Sequence, residues 1–194
     1  MARPRQFNDE VLRDSAREIF WSNGFDSTSV SDISAATKIG NGSIYAAYGS
    51  KFDLFFTVLE SYCASRIEIV QTAMDSGATA AESVQNFFGT IVEDCVLQPA
   101  RRGCLMLNSV AEFGGRDERV VELCRNTTEA MEERVAARLE LAVNDGSMQA
   151  VDVTVLAAQI VLVSQGLIQM SRLHTPEEKL TAIADAYGAA LPWS

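Results

Sequence analysis

The sequence predicts an all-α fold with a small N-terminal head and a larger helical body. Two observations carry this. Apolar residues recur at spacings of three and four through most of the chain, and the interruptions are clusters of Gly, Pro, Asn and Asp; no segment shows the alternation of a half-buried strand. The first helix opens at Asn8, a good N-cap, with Asp9 and Glu10 at its positive dipole end. Its buried stripe is Leu12, Ala16, Ile19 and Phe20; Gly24 ends it, and Phe25 can fold back over it.

Ser29 with Asp32 is a capping-box pattern, so a second helix should begin near Val30. Val30, Ile33 and Ala36 share a face, and the apolar run stops at Thr37-Lys38, about two turns on. Gly40-Asn41-Gly42 breaks the chain. A third helix then starts near Asn41 and ends before Gly49, with Ile44 and Tyr48 four apart. Ser50 and Asp53 repeat the capping box and launch a longer helix through Leu54, Phe55, Val58, Leu59 and Tyr62.

Breaks at Asp75-Ser76-Gly77, Gln98-Pro99, Gly114-Gly115, Asn144-Asp145-Gly146 and Thr175-Pro176 divide the body. Thr79 with Glu82 caps a helix through Cys95 to Leu97. A short helix follows over 102–113, then long ones over 117–143 and 152–173. Pro176, at the favoured first position, opens the last, over 177–191. The helix from Asp152 is apolar on more than one face, through Val153, Leu156, Ala157, Ile160, Val161, Leu167 and Ile168, so it needs cover on two sides.

The 194 residues suffice for one ordinary domain or two small ones. The division expected is 1–50 for the head and 51–194 for the body. Residues 1–51 hold six Lys/Arg and six Asp/Glu, and the remainder ten and twenty, so the net charge of −10 resides in the body. An isoelectric point near 4.6 argues against a general polyanion binder but not against a neutral head with Arg3, Arg5, Lys38 and Lys51 on one side. No apolar stretch follows a basic start, so secretion is not expected. The segment Val151 to Met170 contains Asp152, Thr154, Gln159, Ser164, Gln165 and Gln169, poor material for a membrane span. A cytoplasmic protein without membrane contact is expected. Cys63, Cys95, Cys104 and Cys124 are widely spaced with no C-x-x-C pair, so neither zinc nor disulfides are expected. The lone His174 sits at a helix end, and no nucleophile elbow, phosphate-cradling Gly-rich loop or H-E-x-x-H occurs, so an enzyme is not expected.

Over residues 3–55 the chain resembles the DNA-binding domain of the TetR family of bacterial transcriptional regulators: an ARPRQF arm, a helix ending in NGF, TSVSDISAAT, then IYAAYGSK and an acidic-aromatic continuation. The resemblance implies a three-helix helix-turn-helix DNA-binding domain followed by a helical ligand-binding and dimerisation domain, with no cofactor. Many relatives have Ser-Lys-Gly or Asn-Arg-Pro where Gly40-Asn41-Gly42 stands, and the basic residue often found at the tip is missing. Weaker phosphate attraction follows, with more reading left to Asn41, Gly42, Ser43 and Tyr45. Asn suits adenine, Ser is permissive, and Tyr45 could equally serve a phosphate. Arg3 and Arg5 are expected as an arm near the backbone or minor groove, Thr28 and Ser29 at a phosphate, and Lys38 and Lys51 as nearby charges. Tyr45 and Tyr48 are expected to divide, one on the DNA backbone and the other packed under the head.

The resemblance further implies that residues 152–173 and 177–191 pair with their mates in a homodimer, which suits a palindromic operator. It also implies a pocket for a small apolar or aromatic effector whose entry shifts the helix starting at Ser50 and, with it, the head. Candidate lining residues are Tyr62, Phe87, Phe88, Ile91, Cys104, Met106, Asn108, Glu112 and Gln165; all but Asn108 and Glu112 suit an ordinary core better than a ligand contact. Asn108 and Glu112, four apart, either line a cavity or are solvated. Cys104, beside Arg101 and Arg102 near a helix start, allows a second trigger, thiol-based sensing of an electrophile or oxidant, though buried structural Cys is commoner. A third possibility is a helical protein-interaction module that binds no DNA. Repression is the commoner family outcome, with activation open.

Overall fold

The computed structural model describes residues 8–98 and 100–194; Arg3 and Arg5 lie outside the described residues. Nine α-helices are present among the described residues: α1 (Asp9–Asn23), α2 (Val30–Thr37), α3 (Asn41–Tyr48), α4 (Lys51–Ser76), α5 (Ala80–Leu97), α6 (Leu105–Phe113), α7 (Glu118–Asn144), α8 (Val153–Ser171) and α9 (Glu177–Ala189). The fold is all-α, as expected; the strand-like pairing described is one isolated antiparallel bridge, Met148 with Trp193.

The local signals act as their chemistry requires. Asn8 Oδ1 accepts the N–H groups of Glu10 and Val11 at 3.0 and 3.4 Å, and capping boxes close the starts of α2 and α5. One start and one cap differ from expectation. Helix α6 begins at Leu105 rather than 102, because Arg101 (φ 41°) and Gly103 (φ 77°) take left-handed conformations that no α-helix accommodates. Helix α9 begins at Glu177, as expected, but with Pro176 as its cap rather than its first residue, since the ψ of 145° at Pro176 is extended.

Two compact units divide the chain. The first comprises residues 8–63 with Leu105–Leu123, and the second Ala64–Cys104 with Cys124–Ser194. The first unit therefore takes in α6 and the start of α7 as well as the head. Its core sets Leu12, Ala16 and Phe20 of α1 with Ile33, Ile44, Leu54, Phe55 and Leu59, all buried. Phe25 folds back on Phe20 (ring centroids 6.1 Å apart) and meets Phe55 and Phe113 at 5.2 and 5.1 Å. In the second unit α5 packs on α8 and α9, burying Phe87, Phe88 and Ile91, with the Tyr187 ring edge-on to Phe88. Arg138 donates to Ser83 Oγ and Gly77 O at 3.1 and 3.2 Å, and a Cβ on Gly77 would stand 2.4 Å from Ser83 N.

Helix α8 is long and apolar enough to cross a membrane by length and composition, although only 33 % of that stretch is buried. Its polar residues do not form a solvated face: Val155, Leu162 and Met170 are exposed together with Gly166 and Gln159.

Candidate nucleic-acid interface

The turn between α2 and α3 is built by backbone chemistry. Lys38 closes α2 in the left-handed region (φ 60°), and Gly40, extended, starts α3 by accepting from Ser43 N and Ile44 N at 2.9 and 3.2 Å. Ile44, 1 % exposed, anchors α3 to the core. Gly49 (φ 81°) ends it, its N–H reaching Tyr45 O at 2.8 Å. The opposite face presents Asn41, Gly42, Ser43, Tyr45 and Ala46 to solvent, without one charged side chain. A Cβ on Gly42 would meet nothing within 4 Å. Nothing within the chain requires glycine there, which suits close approach by an outside surface.

The candidate DNA residues separate into outward and inward groups. Lys38, Gly42, Ser43 and Tyr45 are exposed, Tyr45 by 48 %. Thr28 is buried and its hydroxyl donates to Gly24 O at 2.7 Å, while the Ser29 hydroxyl is the α2 cap, bonded to Asp32. That bonding holds the Asp32 carboxyl below the ordinary carboxylate range. Tyr48 OH donates to Asp9 Oδ1 at 2.7 Å, so Tyr48 belongs to the packing of α3 on α1. Lys51 differs most from a solvated phosphate ligand. Its Nζ donates to Phe25 O and Thr28 O at 2.8 and 2.9 Å and lies 4.0 Å from the centre of the Phe25 ring. Two of its three donors thus pin the α1–α2 loop. The amide of Asn41, exposed, donates from Nδ2 to Ser31 Oγ of α2 at 3.0 Å.

The same loop is held from its other side. Glu112 accepts Phe25 N at 2.9 Å and Asp26 N at 2.8 Å, and Arg116 reaches both oxygens of Asp26. Gly24, with φ 81°, makes room: a Cβ there would come within 3.3 Å of the Glu112 carboxylate. The bond from Arg116 first, opposed by modest burial, sets Asp26 below its ordinary pKa of 3.8. Glu112, half-buried, is thus a structural acceptor in the first unit. Ser31, Asp26 and Arg116 carry no local sequence signal for these roles, because their partners lie on other elements.

The remaining effector candidates divide between the units. Tyr62 and Met106 are buried and Asn108 half-buried in the first, where Tyr62 OH accepts Leu105 N at 3.3 Å. Phe87, Phe88, Ile91 and Cys104 are buried in the second, with Gln165 half-buried. Cys104 is 1 % exposed, as a structural thiol would be. Burial likewise pushes the Cys95 thiol up, away from the reactive thiolate. Among the described residues, Gln165 Oε1 and Tyr187 OH of the second unit are buried polar atoms without a hydrogen-bond partner, and burial raises the Tyr187 pKa.

Comparison with known proteins matches residues 80–187 to the tetracyclin repressor-like C-terminal domain and residues 12–58 to the bacterial regulatory proteins of the tetR family. The chain belongs to the TetR family. This TetR-family chain is similar to the HTH-type transcriptional repressor ComR of Escherichia coli K12, 25 % identical over 94 % of this chain and 88 % of that one. A TetR transcriptional regulator from Rhodococcus sp. RHA1 is 33 % identical across 96 % of this chain and 100 % of its own, with a TM-score of 0.65. The regulator CifR, in a cysteine-substituted form solved with 26bp double-strand operator DNA, is 26 % identical over 98 % and 100 % of the two chains, with a TM-score of 0.86. The protein is accordingly a DNA-binding transcriptional regulator of the TetR type, not an enzyme.

Proposed function

We propose that this regulator is a homodimeric repressor that grips a palindromic operator through α3 and lets go when a small apolar or aromatic molecule occupies its body. The outward stripe of α8 carries the reading: Val155, Leu162 and Met170 are 53 %, 70 % and 39 % exposed, and Gly166 among them has open space beyond its backbone. A helix apolar on its outer face needs a second cover, and a glycine there lets another helix approach closely. The outer face of α9, with Ala182, Ile183 and Ala186 exposed, extends the same material. A two-fold dimer through 152–173 and 177–191 presents two copies of α3, and heads about 34 to 36 Å apart fit successive major grooves of a palindrome. The repressor name of ComR and the operator complex of CifR support the same reading.

At each half-site α3 supplies base contacts from Asn41, Gly42 and Ser43. Lys38, Tyr45 and the start of α2 at Thr28-Ser29 approach phosphate, with the Arg3-Arg5 arm alongside. Lys51 acts mainly by holding the α1–α2 loop, with one donor left for a phosphate. The effector is taken in the second unit, where the aromatic and aliphatic side chains of α5 offer apolar contact and the unpartnered Gln165 Oε1 and Tyr187 OH offer polar anchorage. Its binding energy must differ between the DNA-competent and released states, with α4 as the element that answers. The regulator works in the cytoplasm. The test is selection of duplex DNA from a random pool, followed by the mass of the complex and transcription from a promoter overlapping the selected site. A palindrome bound by two chains, with lowered transcription, is expected. Sites without dyad symmetry, a monomer on DNA or raised transcription would overturn the proposal.

A further inference from the structure

Asn41 stands at the first position of α3, where its amide satisfies no backbone group: the cap is Gly40, and α3 has no side-chain cap bond. The single hydrogen bond described for that amide goes sideways to Ser31 of α2, Nδ2 to Oγ at 3.0 Å, between two exposed residues. An exposed bond of this kind adds little to folding, but it fixes how the amide plane is presented. It consumes one of the two Nδ2 hydrogens; when that is the hydrogen trans to Oδ1, the other hydrogen and Oδ1 form one open edge. That remaining edge, one donor beside one acceptor, is the complement of adenine in the major groove, whose N7 accepts and whose N6 donates. Guanine offers two acceptors there and is served by Arg or Lys, which α3 lacks. Gly42, next along the exposed face with no side chain in the way, permits the helix to come close enough for so short a side chain.

We infer that Ser31 is a positioning residue for sequence recognition: it presets the Asn41 amide to pair with one adenine in each operator half-site. The inference rests on DNA reading by α3 and adds the base and the residue that aims the reader.

The test uses the full chain and an operator selected from random duplex, with each adenine replaced in turn by 7-deazaadenine, which removes only N7. One adenine per half-site is expected at which the replacement weakens binding about tenfold. Asn41→Ala should erase the difference between the two bases, and Ser31→Ala should reduce it several-fold. Ser31→Thr, which keeps the hydroxyl, should restore it. Binding to unrelated DNA should be the same for the two Ser31 variants and the parent chain. The inference is overturned if no adenine responds to Asn41→Ala, or if Ser31→Ala weakens binding evenly on every sequence or leaves the adenine preference intact. Failure to enrich any duplex would instead remove DNA reading by α3, and this inference with it.

Discussion

Glu112 binds two backbone amides 87 and 86 residues away, those of Phe25 and Asp26. A carboxylate accepting two N–H groups is a strong acceptor, and removing it leaves both donors short of partners. Glu112→Ala is predicted to cost about 1 to 3 kcal/mol, read as a lowered melting temperature and faster hydrogen exchange at those amides. Glu112→Gln, with one oxygen left, should fall between. Unchanged exchange at both amides would refute the clamp. Asp26 beside Arg116 adds a pH signature. Because its folded pKa lies below 3.8, the pair contributes fully above that ordinary value and its contribution disappears as pH falls through the lower folded one. Arg116→Ala should therefore lower the melting temperature evenly between pH 5 and 8, with the two profiles converging at the acid end. Profiles that stay equally separated at the acid end would contradict it. None of this was legible in sequence, since Glu112 and Arg116 reveal nothing of a partner loop so distant. The capping boxes at Ser29-Asp32 and Thr79-Glu82 were legible, because donor and acceptor sit three residues apart and need no fold to meet.

At the scale of elements, α3 and α8 each carry a residue that makes poor sense for an isolated chain. Gly42 weakens α3, and an added Cβ would meet nothing. Gly42→Ala is predicted to stabilise the fold, by up to about 1 kcal/mol, while weakening operator binding. A variant that melts higher and binds equally well would show that DNA does not approach Gly42 closely. In α8, Leu162 is 70 % exposed, so a polar replacement costs an isolated chain little. Leu162→Glu should place two carboxylates at a two-fold interface and halve the mass seen by sedimentation. A variant that remains dimeric would move the interface elsewhere. Sequence revealed that α8 was apolar on more than one face, but only the packing of α5 and α9 shows which side stays bare. The start of α6 and the place of Pro176 before α9 were misjudged for a backbone reason: the left-handed turns at Arg101 and Gly103 and the extended ψ of Pro176 are conformations that composition does not dictate.

For the whole molecule, charge separates reading from gripping. The net charge is −10, residues 1–51 are balanced, and the exposed face of α3 is uncharged. Arg13 and Arg17 are paired with Asp9, Asp14 and Glu18 on their own helix, which leaves Lys38, the remaining donor of Lys51, Arg3 and Arg5 as the cations most available to phosphate. Four per protomer sets a ceiling. Counterion release makes the logarithm of affinity fall with the logarithm of salt at about −0.9 per neutralised phosphate, so a dimer should show a slope no steeper than about −7. Deleting residues 1–7 should flatten the slope by about 3 to 4 if both arginines of each arm contact phosphate. The measurement is operator affinity across a salt series for the full chain and the deletion. A steeper slope would mean that cations of the acidic body join the interface, and an unchanged slope on deletion would take the arm off the phosphates. In either case the sequence preference assigned to Asn41 should survive the salt series, since a bidentate pair with a base releases no counterion and discriminates equally at every ionic strength.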